Sequence, residues 1–225
     1  MPTFSMTIQR EYLNLLKWFA LIAMVAFHFS KAFSYNQPEY LVLLGRMAFP
    51  IFGFVLGYNL AAGELKGDSG LEARMMRLLL MFGCFAQPFY WAYAYAALPV
   101  NIMFTLALGV FMTFHFKRYY SWIVLITLGI FVDYAWAGVL YVLASYLISR
   151  QALTGKVTFD YLLGFILVLA AVSLTTQSYY PMLTLGLFAL GIKWKPSFAL
   201  PRCKWLFYAF YPVHLAIIQG IQYIH

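Results

Sequence analysis

Apolar runs follow one another so closely along this chain that no polar stretch between them is long enough to fold as a separate soluble domain. A membrane-crossing helix needs about 20 apolar residues, fewer inside a bundle. Nine segments meet that description: 12–33, 41–62, 74–95, 99–115, 119–133, 135–149, 158–175, 179–193 and 204–224. The fifth and sixth are short and meet at "VDYAWAG", which fits two short helices or a re-entrant pair. In hydrocarbon every backbone N–H and C=O must be satisfied within the protein, so helices are the economical form throughout. The expected fold class is therefore all-α, a polytopic membrane helix bundle of about nine transmembrane helices forming one domain over residues 1–225. Composition agrees. The chain is 64% hydrophobic, 20% aromatic and 10% charged, with a mean hydropathy of +0.79. That is more apolar surface than a soluble core of this size hides. The first segment has no small-residue cleavage site before a hydrophilic region, so it is expected to be a retained span.

Charge supplies the orientation. Arg10 and Lys17 precede or open the first span, and Lys66, Arg74 and Arg77 follow the second. Lys117 and Arg118 follow the fourth, Arg150 and Lys156 the sixth, and Lys193, Lys195, Arg202 and Lys204 the eighth. The opposite connections hold only Lys31, while Arg46 lies within the second span. Basic residues collect on the cytoplasmic side of membrane proteins, so nine crossings place the N-terminus in the cytoplasm and the C-terminus outside. The formal charge of +8 is thus assigned to cytoplasmic loops and lipid headgroups rather than to nucleic acid. Cys84 and Cys203 show no CxxC or Cys/His spacing, so neither a disulfide nor a metal site is expected.

Ionisable residues inside spans cost about 2.5–3.5 kcal/mol each on insertion scales and are functional candidates for that reason. His28 lies in the outer half of the first span and Arg46 in the outer half of the second, one turn before Pro50. Asn101 opens the fourth, Asp133 ends the fifth, and His214 sits near mid-depth in the last. Together they outline a cavity in the outer half of the membrane. Each also has a plainer role: a carbonyl-bonded histidine, a snorkelling arginine, or helix caps at Asn101 and Asp133. Tyrosines and tryptophans at the span ends (Tyr90 and Tyr93 among them), with His115 and His225, fit interfacial belts. "GFVLG" at Gly53 and Gly57 is a helix-packing face.

Helical spacing puts Lys17, Leu21, Met24, His28 and Lys31 on one face of the first helix, which links the two ends of the bundle. At the cytoplasmic end Arg74 and Arg77 lie three apart, so both guanidiniums share a face and suit a phosphate. No Walker, Rossmann or serine-nucleophile pattern occurs.

The strings "LKWFALIAMVAFHFSKAF", "LLGRMAFPIFGFVLGYNLA", "NIMFTLALGV", "DYAWAGVLYVL" and "LFYAFYPVHLAII" resemble, in order and spacing, the TraX family of F-pilin acetylases. "GRxAFPxF" and "FYxxYPxHL" are the most specific parts. That family is similar to the wider membrane acyltransferase-3 superfamily, whose first span ends in a histidine and whose third opens with RxxR; His28 and Arg74/Arg77 stand at those positions. The resemblance implies an inner-membrane, multi-pass acetyltransferase without a metal, moving an acetyl group from cytoplasmic acetyl-CoA to the N-terminal amine of a pilin subunit or a similar outer-face acceptor. Wider relatives acylate glycan hydroxyls. The family pattern has Asp-His where this chain has Phe27 and His28, so the carboxylate beside the histidine is missing; Asp133 is a candidate replacement.

On this reading Arg74, Arg77 and Lys17 bind the CoA phosphates and His28 is the general base. Arg46 stabilises the oxyanion or orients the acceptor. His214 and Asn101 bond His28 or the acyl oxygen, and Asn101 and Tyr211 are the candidate substrate contacts. The same residues also fit a transporter or channel with an intramembrane His/Asp proton relay. A haem held by His28 and His214 is the third reading.

Overall fold

The computed structural model describes residues 8–34, 36–95, 97–155, 157–198, 200–201 and 204–224. Of the residues weighed from sequence, Lys156, Arg202, Cys203 and His225 lie outside the described residues. The described chain is 80% helical with no strand. The helices are α1 (Arg10–Phe33), α2 (Glu39–Leu65), α3 (Leu71–Ala94), α4 (Ile102–His115), α5 (Tyr119–Leu128), α6 (Ala135–Leu153), α7 (Phe159–Thr175), α8 (Thr184–Lys193) and α9 (Lys204–Ile224). A 3₁₀ turn, Tyr180–Leu183, leads into α8.

Two expected spans come out shorter. The fifth is helical only to Leu128, before Gly129. The chain then turns through a bridge between Val132 and Val100 that seats Asp133 beside the start of α4. The eighth is broken at Tyr180–Leu183, where Pro181 has no N–H to give. A ten-residue helix such as α5 is about 15 Å long, half the hydrocarbon thickness. Among the described residues, two helices, α1 and α2, are long and apolar enough to cross a membrane by length and composition.

Helix α2 packs mainly on α6 and α1, and α9 lies along α3 with its edge on α1. The polarity of the bundle is inverted relative to a soluble fold. Large apolar side chains stand exposed around it, with Ile22 at 63%, Phe85 at 63% and Leu174 at 79% exposure. Asn14, Gln87, Asn101, Thr105, Ser121, Ser145 and His214 are buried. Lipid as solvent accounts for both observations, because polar groups then find partners only between helices.

The "GFVLG" stripe shows why α2 and α6 approach so closely. A Cβ on Gly57 would lie 2.5 Å from the Tyr146 backbone nitrogen and 2.7 Å from the Ser145 carbonyl carbon, and one on Gly53 2.9 Å from the Tyr141 ring. Backbone cannot step aside as a side chain can, so Gly57→Ala forces the two helices apart. The expected loss is about 1–3 kcal/mol, read as a lower melting temperature in detergent. An unchanged melting temperature would show that this contact tolerates separation.

Candidate active site

The centre of the site is a pair of imidazoles. His28 near the end of α1 and His214 midway along α9 face each other with Nδ1 of His28 2.8 Å from Nε2 of His214. Their rings are nearly parallel, 8° apart with centroids at 5.1 Å. Nδ1 of His214 lies 2.9 Å from the carbonyl oxygen of Phe210, one turn earlier in α9. A carbonyl only accepts, so Nδ1 of His214 carries the proton and donates it there. With both rings neutral, Nε2 of His214 is then an acceptor, and Nδ1–H of His28 donates to it. The remaining nitrogen, Nε2 of His28, keeps its lone pair. His214 is held by burial, at 2% exposure, between the Phe210 ring stacked at 14° and the Tyr211 edge at 5.5 Å. His28 is only partly buried, so its free nitrogen belongs to the more open member of the pair.

A haem held by both histidines would need this pair to open. Iron between two histidines needs about 2 Å to each nitrogen, whereas the facing nitrogens are 2.8 Å apart and bonded to each other. Among the described residues there is no group of three or more metal-ligating side chains.

Charged groups gather on the α1–α2 side of the pair. Lys31 is within electrostatic reach of His28, Arg46 and Asp133. Its ammonium lies 5.0 Å over the ring of Tyr93, and that ring is 5.2 Å from His28. Arg46 places its guanidinium 6.0 Å over Phe27, and its buried Nε has no hydrogen-bond partner. Asp133 accepts the Tyr134 N–H at 3.0 Å and donates its own N–H to Val100 at 3.1 Å. The bond that orients His28 therefore comes from His214, while Asp133 sits with Arg46 and Lys31. Phe27 fills the space against Gly45, where an added Cβ would lie 2.3 Å from its ring.

Asn101 serves the fold. Its oxygen accepts the Met103 N–H at 3.0 Å, capping α4, and its amide donates to Gly83 at 2.8 Å and Gln87 at 2.7 Å. None of these bonds reaches the histidines. Tyr211 is buried, with its ring on His214 and its hydroxyl against the Ile102 N–H at the start of α4.

A family model described as TraX protein matches residues 12–222. The chain belongs to the TraX family. No curated protein matches it, and no solved structure matches it. The TraX match runs through every residue just described, and with the lipid-like exterior it marks a membrane protein.

The other candidates lie at the opposite end of this TraX bundle. Lys17 bonds the Asn14 amide oxygen at 3.3 Å and lies 5.9 Å over Phe207 of α9. Arg74 is 53% exposed and paired with Asp68 at 2.5 Å. That hydrogen bond holds the Asp68 carboxyl below the usual carboxylate range. Arg77 is exposed with no ion pair among the described residues. His115 ties helix ends together through Glu72 at 2.8 Å and the Tyr120 hydroxyl at 3.0 Å. Lys17 and His28 are separated along α1 by about 16 Å at 1.5 Å per residue. Cavities of about 310 Å³ between α6 and α7 and about 350 Å³ beside Asp68 and Glu72 share no lining residue with the histidine pair.

Sequence reasoning missed Tyr93 and Lys31 as members of the site. Lys31 was legible as the next residue on the His28 face. Tyr93 was not, because a tyrosine near a helix end reads as a belt residue until its neighbours are known.

Proposed function

We propose that this TraX family member is a membrane acetyltransferase, carrying an acetyl group from cytoplasmic acetyl-CoA to the N-terminal amine of a pilin subunit or similar acceptor at the outer half of the inner membrane. Family membership supports a role connected with pilin and conjugation. The chemistry rests on one observation: the chain of bonds from Phe210 through His214 leaves Nε2 of His28 as an oriented lone pair.

The basic residues that gather at the Arg74 end support a cytoplasmic position for it. Arg74, Arg77 and Lys17 receive the CoA phosphates there, and the thioester arm runs along the α1 face to His28. The incoming amine attacks the thioester carbonyl carbon while its proton passes to Nε2 of His28. The tetrahedral intermediate collapses by breaking the C–S bond, and the leaving sulfur takes the proton from Nε2 of His28 and departs as the CoA thiol, which restores the base. Arg46, Lys31 and Asp133 line the acceptor side, with Asp133 suited to hold the amine before it loses its proton. His214 is a positioning residue, fixing the tautomer in the way a second group orients any catalytic imidazole.

The proton-relay reading draws on the same residues but meets an obstacle. The chain of bonds ends at the Phe210 carbonyl, which neither takes up nor passes on a proton.

Calorimetry on the purified protein separates the two classes. Acetyl-CoA is expected to bind the wild type and to lose that binding in the Arg74→Ala, Arg77→Ala double variant. Asp68→Asn removes a carboxylate that competes for Arg74 and is expected to tighten binding. A folded wild type that gives no heat with acetyl-CoA rules out the acyltransferase reading.

A further inference from the structure

Tyr93 carries a hydroxyl that the fold does not use. The residue is 7% exposed, yet its oxygen has no hydrogen-bond partner. A buried hydroxyl without a partner costs roughly 1–3 kcal/mol, so a group held that way calls for a reason. The position of Tyr93 supplies one. Its ring meets His28 at 5.2 Å, Lys31 lies over its face at 5.0 Å, and its hydroxyl is within electrostatic reach of those of Tyr90 and Tyr211. The ring that carries this donor therefore packs against His28 and lies under a positive charge. The hydroxyl itself is committed to nothing else.

Resting on the acetyltransferase reading above, we infer that Tyr93 is a catalytic residue, donating its O–H to the thioester oxygen as negative charge develops there. When the amine nitrogen bonds to the carbonyl carbon, the C=O π pair moves onto oxygen. The Tyr93 hydroxyl hydrogen-bonds that oxyanion and keeps its own proton. The amine proton goes to Nε2 of His28. When the C–S bond breaks, the oxygen lone pair re-forms the C=O, the leaving sulfur takes the proton from His28 and departs as the CoA thiol, and the hydroxyl is left as it began. The ammonium of Lys31 over the ring strengthens donation, since it favours negative charge on that side. Arg46 is grouped with Asp133, which suits it to the acceptor instead.

The test is transfer of radiolabelled acetyl from acetyl-CoA to a short synthetic peptide with a free N-terminal amine, comparing wild type, Tyr93→Phe and His28→Ala. Tyr93→Phe is expected to lower kcat about 10²-fold, the loss typical of one oxyanion donor, with little change in KM for acetyl-CoA. The acid limb of the pH profile, set by the imidazole, is expected to stay. Because the hydroxyl bonds nothing in the fold, the melting temperature should hold or rise; a structural hydroxyl would lower it. A fluorinated tyrosine at 93 keeps the donor and should retain activity, which also guards against a Phe variant that fails to fold. If Tyr93→Phe keeps kcat within a few-fold while His28→Ala is inactive, the donor assignment falls and the base assignment stands. If the wild type transfers no acetyl to the peptide, the acetyltransferase reading falls and Tyr93 goes with it.

Discussion

His28→Ala in a folded protein reduces acetyl transfer by about 10²–10⁴-fold, the range a positioned general base contributes. Only Nε2 of His28 has its lone pair free in the histidine pair, because Nδ1 of His214 is committed to Phe210 and Nε2 of His214 to His28. Neither charged neighbour is placed to take over. Lys31 is drawn into the group around Arg46 and Asp133, and Asp133 is engaged by the Tyr134 N–H. The loss should appear in the chemical step, with acetyl-CoA affinity by calorimetry close to wild type, since the phosphate site is at the other end of the bundle. His28 is partly exposed, so added imidazole has room to enter the space left by alanine and should restore part of the rate. The sign of the pH dependence follows from the same lone pair. A proton on Nε2 removes the base, so wild-type activity falls on the acid side, and the rescued variant should follow the pKa of free imidazole. Transfer at the wild-type rate by His28→Ala would end the base assignment.

The sequence disclosed the site in proportion to how anomalous each residue was. His28, Arg46 and His214 are polar groups in apolar runs, and the insertion cost alone marks them. Nothing in the sequence pairs His28 with His214. They are 186 residues apart, and which helix faces which is decided by small-residue contacts such as Gly57 on Ser145 and Tyr146. Asp133 looked like the substitute for the carboxylate missing at Phe27, yet the turn at Val132 that positions it also directs it to the Tyr134 N–H. Asn101 was equally visible as a cap and as a substrate contact. Its hydrogen bonds are all within the fold. Tyr93 shows the opposite failure. Its type and place are ordinary for a helix end, and only an unpaired hydroxyl on a ring packed against His28 separates it from Tyr95, which is exposed. The helical class was legible because hydrocarbon leaves few alternatives. The early end of α5 was not, because "LGIFVD" is as apolar as any span and the break comes from Gly129 and the bridge to Val100.

The role of His214 separates an oriented base from a proton wire, and substitution at that position reads the difference directly. His214→Phe keeps a flat ring in the stack with Phe210 but removes the acceptor for Nδ1–H of His28. That donor is left unsatisfied at a cost of about 1–3 kcal/mol. The other tautomer, with its proton on Nε2 and no base, becomes the better-bonded one. A serine protease whose orienting aspartate becomes asparagine loses about 10⁴-fold through the same tautomer error. A neutral imidazole supports its partner less than a carboxylate, so the expected loss here is roughly 10²–10³-fold. His214→Gln offers an amide oxygen that can accept from Nδ1–H, although the amide cannot titrate near neutral pH. An orienting role therefore predicts that Gln retains most of the activity that Phe loses. A relay predicts that both are dead, because a proton has to bind and leave residue 214. Nitrogen shifts of labelled histidine report the tautomer independently: in the wild type His28 should carry its proton on Nδ1, in the Gln variant it should still do so, and in the Phe variant it should move to Nε2. Equal activity in wild type and His214→Phe would mean that His28 is oriented by something other than the bond at 2.8 Å.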